Sequence, residues 1–151
     1  LEDAAAMPRV LAVDARWLAA DADEARALGI PAGHRVLRVD RVRGIDDLAI
    51  MHLRSWLHPD LALTGQEDFT VPMHLLIEHR LGIATERSLE RLSAVAADSD
   101  TSAALGVKRG SPVLLRERTL RDSSGRALEC ARCHVRGDRS AFACELRRPS
   151  A

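Results

Sequence analysis

The chain has 151 residues, 22 basic and 22 acidic side chains, and no formal net charge. That length suits one domain, which buries roughly 68–70% of its unfolded surface. With 46% hydrophobic and 29% charged residues, the mix argues against disorder, collagen-like structure and a membrane span of ~20 apolar residues. Zero net charge also argues against a chain that grips nucleic acid by itself, because that affinity comes largely from excess Lys and Arg. Arginine outnumbers lysine 21 to 1, which reads as compositional bias. Leu1-Glu2-Asp3 lacks the basic and then apolar start of a secretory leader.

In chain order, Arg9 to Leu18 reads as a first strand carrying Val10, Leu11, Val13 and Trp17. Asp21 to Leu28 reads as a short helix, with Asp21 as N-cap, Asp23 and Glu24 in the first turn and Gly29 as the stop. Arg35 to Arg43 is expected as a strand, Gly44 to Asp47 as a turn, and Leu48 to Leu57 as the second strand of a hairpin. Thr70 to Gly82 is expected as a helix with Thr70 as N-cap and Pro72 in the first turn. In Ala84 to Ala97, Leu89, Leu92, Val95 and Ala96 recur at helical spacing. Asp98 to Leu105 reads as a capped helix stopped by Gly106, Arg126 to Val135 as a strand and Ser140 to Leu146 as a last strand.

The string around the first hairpin recurs. Ala27 to Arg41 matches Ala104 to Arg118 at a constant offset of 77, with identical pairs Leu28/Leu105, Gly29/Gly106, Gly33/Gly110, Val36/Val113, Leu37/Leu114 and Arg41/Arg118. Asp122 to Gly125 supplies the second hairpin turn. Two copies of helix, glycine stop and hairpin predict a pseudo-symmetric α+β domain with a single antiparallel β-sheet and helices packed on it.

The three cysteines, Cys130, Cys133 and Cys144, suggest reduced thiols and a cytoplasmic setting. Cys130 and Cys133 are three apart on an expected strand, so their sulfurs should diverge to opposite faces. His74 and His79 lie on different faces of the expected helix, and no HExxH is present, so neither a metal nor any other cofactor is expected.

The doubled helix-LG[IV]-x-x-G-x-x-VL-x-x-x-R pattern, with the ending Glu129 to Arg139, resembles the UTRA domain of HutC-type GntR transcriptional regulators. The resemblance runs from about Arg9 to Leu146. It implies a chorismate-lyase-like fold, with Ala84 to Ala97 as a long strand despite its helical periodicity. It also implies a sensor of a small anionic metabolite, a carboxylate or phosphate, with no membrane attachment. Such a sensor works as a homodimer and reaches DNA through a winged-helix domain. Residues 1–151 are expected to be the sensor alone, with that winged helix outside this chain. The family's usual N-terminal helix motif is reduced at best to Leu1-Glu2-Asp3.

By the same resemblance the ligand's anionic group falls to Arg41 and Arg43. Alternate strand residues share a face, and paired guanidiniums suit a carboxylate or phosphate. The alternative is a surface pair neutralised by Asp40, Asp46 or Asp47. Glu129 matches the family's ligand acceptor, or else pairs with Arg118 or Arg126. Leu53 stands where the family carries Glu, Val135 where it carries an aromatic, and Glu86 where it carries a small hydroxyl residue. The expected site is Arg41, Arg43, Met51, Leu53, Glu86, Glu129 and Val135, an anion clamp with an apolar remainder. Trp56, on the opposite face, suggests core or a dimer contact. Two rivals remain: a chorismate-lyase-like enzyme built on Arg41, Arg43 and Glu129, and a ligand-free dimerisation module.

Overall fold

A computed structural model describes residues 8–149. Six strands and three helices follow in order: β1 (Arg9–Ala19), α1 (Ala22–Leu28), β2 (Arg35–Ile45), β3 (Leu48–Leu57), α2 (Met73–Leu81), β4 (Arg87–Ala96), α3 (Ser99–Leu105), β5 (Pro112–Arg121) and β6 (Ala127–Arg136). The strands form one antiparallel sheet in the order β1-β2-β3-β6-β5-β4. Leu1-Glu2-Asp3 lies outside the described residues.

The internal repeat is larger than the matching strings suggest. Each half is a complete strand–helix–hairpin unit, β1-α1-β2-β3 and β4-α3-β5-β6, and the halves join where β3 pairs with β6. Backbone detail repeats at the same offset of 77. Asp21 and Asp98 cap α1 and α3 with their carboxylates, and Gly29 and Gly106 stop them at φ 68° and 65°. Gly33 and Gly110 both sit at φ 84°, a left-handed conformation that side chains resist. The bonds Gly33 N–H to Ala20 O and Gly110 N–H to Ala97 O are equivalents. Identical local chemistry thus closes the same turn twice.

Alternation assigns the two faces. One carries Leu37, Val39, Arg41, Arg43, Ser55, Leu57 and Glu129. Near one end α2 and the loop before it cover this face, packing Leu61, Leu63, Phe69, Met73, Leu76 and Ile77 on Leu37, Val39 and Leu57. The other face receives α1, whose Ala25 and Leu28 bury Val36, Trp56 and Cys130. It also receives α3, whose Leu105 packs with Val113 and Ala97.

Two expectations need correction, and one is met against its local pattern. Thr70 does not cap α2: the helix begins after Pro72 without a side-chain cap, and the Thr70 hydroxyl instead donates to Asp68. Residues 87–96 form β4, the strand that the resemblance implies, because pairing with β5 over its whole length overrides the helical periodicity. Ser140 to Leu146 forms no strand. The preceding β6 already has a neighbour on both sides, and the sheet's free edges are the distant β1 and β4; Phe142 and Leu146 remain exposed.

Candidate functional site

Beyond the reach of α2, the first face has an apolar floor. Cys133 and Val135 are buried there, with Met51, Leu53 and Leu114 partly buried beside them. Register places Arg41, Leu53, Cys133 and Arg116 in one row across four strands. The next rows carry Arg43, Met51, Val135 and Leu114, and Val39, Ser55, Ala131 and Arg118. Four arginines therefore surround the Cys133 thiol, and all four charges bear on it. Burial nonetheless raises the thiol's pKa, so Cys133 is a packed thiol rather than a nucleophile.

Arg41 is only 4% exposed. Its guanidinium donates long bonds of 3.4 Å to the Val71 carbonyl and 3.4 Å to Ser55 Oγ. Burial lowers its pKa, an effect opposed by Glu129 and reinforced by Arg118 and Arg43. Arg43 donates to the Pro8 carbonyl at 2.9 Å. Neither arginine has a carboxylate partner among the described residues. The proposed neutralisers lie elsewhere: Asp40 faces the other side of the sheet, and Asp47 pairs with Arg9 at the hairpin turn. The buried Nε atoms of Arg41, Arg43, Arg116 and Arg118 have no hydrogen-bond partner among the described residues. Buried donors without acceptors cost about 1–3 kcal/mol each, so such a cluster on one face needs a reason.

Glu129 is fully buried and fully engaged. Ser55 Oγ donates to Oε1 at 2.6 Å, and Arg118 Nη2 donates to Oε2 at 2.7 Å. The structural reading of Glu129 as the Arg118 partner is thus correct, and Arg126 pairs with Asp122 instead. Met51, Leu53 and Val135 belong to the floor. Glu86 is exposed just before β4, away from the arginine cluster. Sequence reasoning missed Arg116 and Arg118 as members of this face. The signal was present, since Arg118 is the repeat equivalent of Arg41.

The opposite face holds its charges in closed sets. Asp40 accepts from Arg54 at 2.6 Å and from Arg38 at 2.8 Å, with His52 Nε2 at 3.3 Å. Burial pushes the Asp40 pKa up, but these partners outweigh it and hold the carboxyl well below its usual range. His52 stacks on His134 with ring centroids 6.4 Å apart. A cleft of about 550 Å³ opens beside α1, lined in part by Trp56, Leu89, Arg91, Glu117 and Arg132. Its charges are matched: Arg132 bridges Glu24 at 3.0 Å and Glu117 at 4.0 Å, and lies over the Trp56 ring. Trp56 is core beneath α1 within this chain. Cys130 and Cys133 do point to opposite faces, and burial pushes the Cys130 thiol up to about 12.

The family model of the UTRA domain matches residues 6–141. The chain belongs to the UTRA family. The HTH-type transcriptional repressor NagR of Bacillus subtilis is 30% identical over 125 residues, covering 81% of this chain and 51% of NagR. The HTH-type transcriptional regulator Rv0792c of Mycobacterium tuberculosis is 35% identical over 86 residues, covering 57% of this chain and 32% of that protein. The UTRA chain therefore spans about half or less of these curated relatives. Among solved structures, a Streptomyces coelicolor transcriptional regulator superposes with a TM-score of 0.85 at 28% identity, covering 95% of this chain and 96% of that one. The ligand-binding domain of a GntR-family regulator from Bordetella bronchiseptica gives 0.81 at 28% identity, covering 93% and 90%. The effector domain of PhnF from Mycobacterium smegmatis gives 0.77 at 28% identity, covering 93% and 86%. The α+β single-sheet fold and the place of this UTRA domain among GntR-type effector domains follow from these matches.

Proposed function

We propose that this UTRA domain binds a small anionic metabolite on the face around Cys133, with Arg41 and Arg43 as the clamp. The carrying observation is the buried Arg41 beside the half-buried Arg43, neither in an ion pair with a carboxylate among the described residues, next to an apolar floor. Two like charges held this close repel unless an anion lies between them, and a guanidinium fork suits a carboxylate or phosphate. Met51, Leu53 and Val135 take the ligand's apolar body, while Glu129 acts through Arg118 and Ser55 as a fixed wall. Glu86 lines the rim only if β4 bends inward on binding.

In the regulator, occupancy is passed to a winged-helix DNA reader in a homodimer acting in the cytoplasm. A ligand biases that equilibrium only by its difference in affinity for two arrangements. We read the domain as a sensor rather than an enzyme: burial raises the pKa of the thiol on this face, and both Glu129 oxygens are engaged by Ser55 and Arg118. The ligand-free dimerisation module instead has Arg41 and Arg43 paired with acids of the same subunit or across an interface; within the described residues neither forms an ion pair with a carboxylate.

A thermal-shift screen of this chain tests the reading. The panel holds sugar phosphates, inorganic phosphate, phosphonates, and aliphatic and aromatic carboxylates. A ligand at 100 times its dissociation constant should add about 2.7 kcal/mol of stability. Stabilisation by at least one anion class is expected. A flat response to every anion class overturns it.

A further inference from the structure

The internal symmetry of the fold contains a template for the missing ligand. The pseudo-two-fold axis passes between Arg54 and Arg132, which face each other across β3 and β6. It relates Arg41 on β2 to Arg118 on β5, on the same face. In the first half Arg41 lies opposite Leu53, and Met51 sits two residues before Leu53. In the second half Arg118 lies opposite Ala131, and Glu129 sits two residues before Ala131. Met51 and Glu129 are therefore equivalent positions beside equivalent arginines.

The two halves differ in one respect that matters. Arg118 has its carboxylate at 2.7 Å, whereas Arg41 has a thioether side chain where that carboxylate stands. Arg41 is the more buried of the two, and the Nε atoms of both lack a partner among the described residues. We propose that the effector's anionic group is a carboxylate, which takes beside Arg41 and Arg43 the place that the Glu129 carboxylate takes beside Arg118. The inference rests on the anion-sensing reading above and narrows it from anions in general to carboxylates.

The physical case concerns shape and solvation. A planar carboxylate can divide its oxygens between a guanidinium and a neighbouring hydroxyl, as Glu129 does between Arg118 and Ser55, and Ser55 also lies within reach of Arg41. A phosphate dianion carries a larger desolvation cost into a site whose floor is Met51, Leu53, Cys133 and Val135. The rest of the ligand then lies on that floor, so an apolar body is expected on the carboxylate.

The test pairs each acid with its phosphate analogue: benzoate with phenyl phosphate, hexanoate with hexyl phosphate, and inorganic phosphate alone. Calorimetric titration into the wild-type chain should favour each carboxylate over its partner by about tenfold or more. Met51→Glu should place a carboxylate beside Arg41 from within. It should raise the melting temperature without ligand, as the uncharged Met51→Gln should not, and reduce carboxylate affinity about a hundredfold. Phosphates binding as tightly as the carboxylates, or Met51→Glu binding them unchanged, overturns the carboxylate inference and leaves anion sensing standing. Binding by neither series overturns both.

Discussion

Arg41 and Arg43 were legible as a pair because they are two apart on a strand, and spacing of two fixes a common face. Their lack of acids was not legible, since it depends on where Asp40, Asp46 and Asp47 point once the sheet forms. Glu129 is the converse case: its chemistry suggested a ligand group, and the fold spends both its oxygens on Ser55 and Arg118. Glu129→Ala should cost about 3 kcal/mol, because it strands Arg118 without its partner; at this chain length that lowers the melting temperature by ~6–12 °C. Arg43→Gln should act in the opposite sense. It relieves repulsion around Arg41 and should stabilise the ligand-free chain by about 0.5–1 kcal/mol while weakening anion binding, the usual exchange of stability for function. Denaturant midpoints for the two variants check both signs. The Asp40 cluster was invisible in the sequence, because Arg38, Asp40, His52 and Arg54 come from two strands and no local pattern joins them.

The elements themselves were largely legible where glycine and aspartate punctuate them. Gly29, Gly33 and their equivalents stop helices and turn the chain in both halves. Two segments are decided by tertiary context: β4 is a strand despite its helical periodicity because β5 offers an edge, and residues 140–146 follow β6, which is already paired on both sides. Gly44 illustrates how tight the first hairpin is. Register slips between Arg43 and Gly44, and a Cβ at Gly44 would lie 2.1 Å from the Leu48 carbonyl oxygen. Gly44→Ala should therefore cost about 1–3 kcal/mol through forced backbone shift and loosen the end of β2 that carries Arg43. The interface of α3 with the sheet brings a pH dependence. Burial, and after it the neighbouring His52, hold His134 below its ordinary value of 6.5. The unfolded chain then takes up this proton first as pH falls. Stability is full above pH ~7 and declines toward pH ~5, and His134→Gln should flatten that decline in melting temperature between those pH values.

At the scale of the whole molecule, two similar halves meet between β3 and β6, and the network Arg41–Ser55–Glu129–Arg118 crosses that seam. A ligand that draws Arg41 away from Ser55 acts on both halves at once, which gives an anion a direct route to the geometry of the sheet. No helix among the described residues is long and apolar enough to cross a membrane. The central claim is that the face around Cys133 is an anion site built on Arg41 and Arg43. Calorimetric titration of the most stabilising anion into the wild-type chain and into the Arg41→Ala/Arg43→Ala variant tests it most directly. The account predicts a folded double variant whose affinity is lower by about a hundredfold or more, from two lost charge-assisted hydrogen-bonding groups. A folded double variant that binds the anion with unchanged affinity would contradict it.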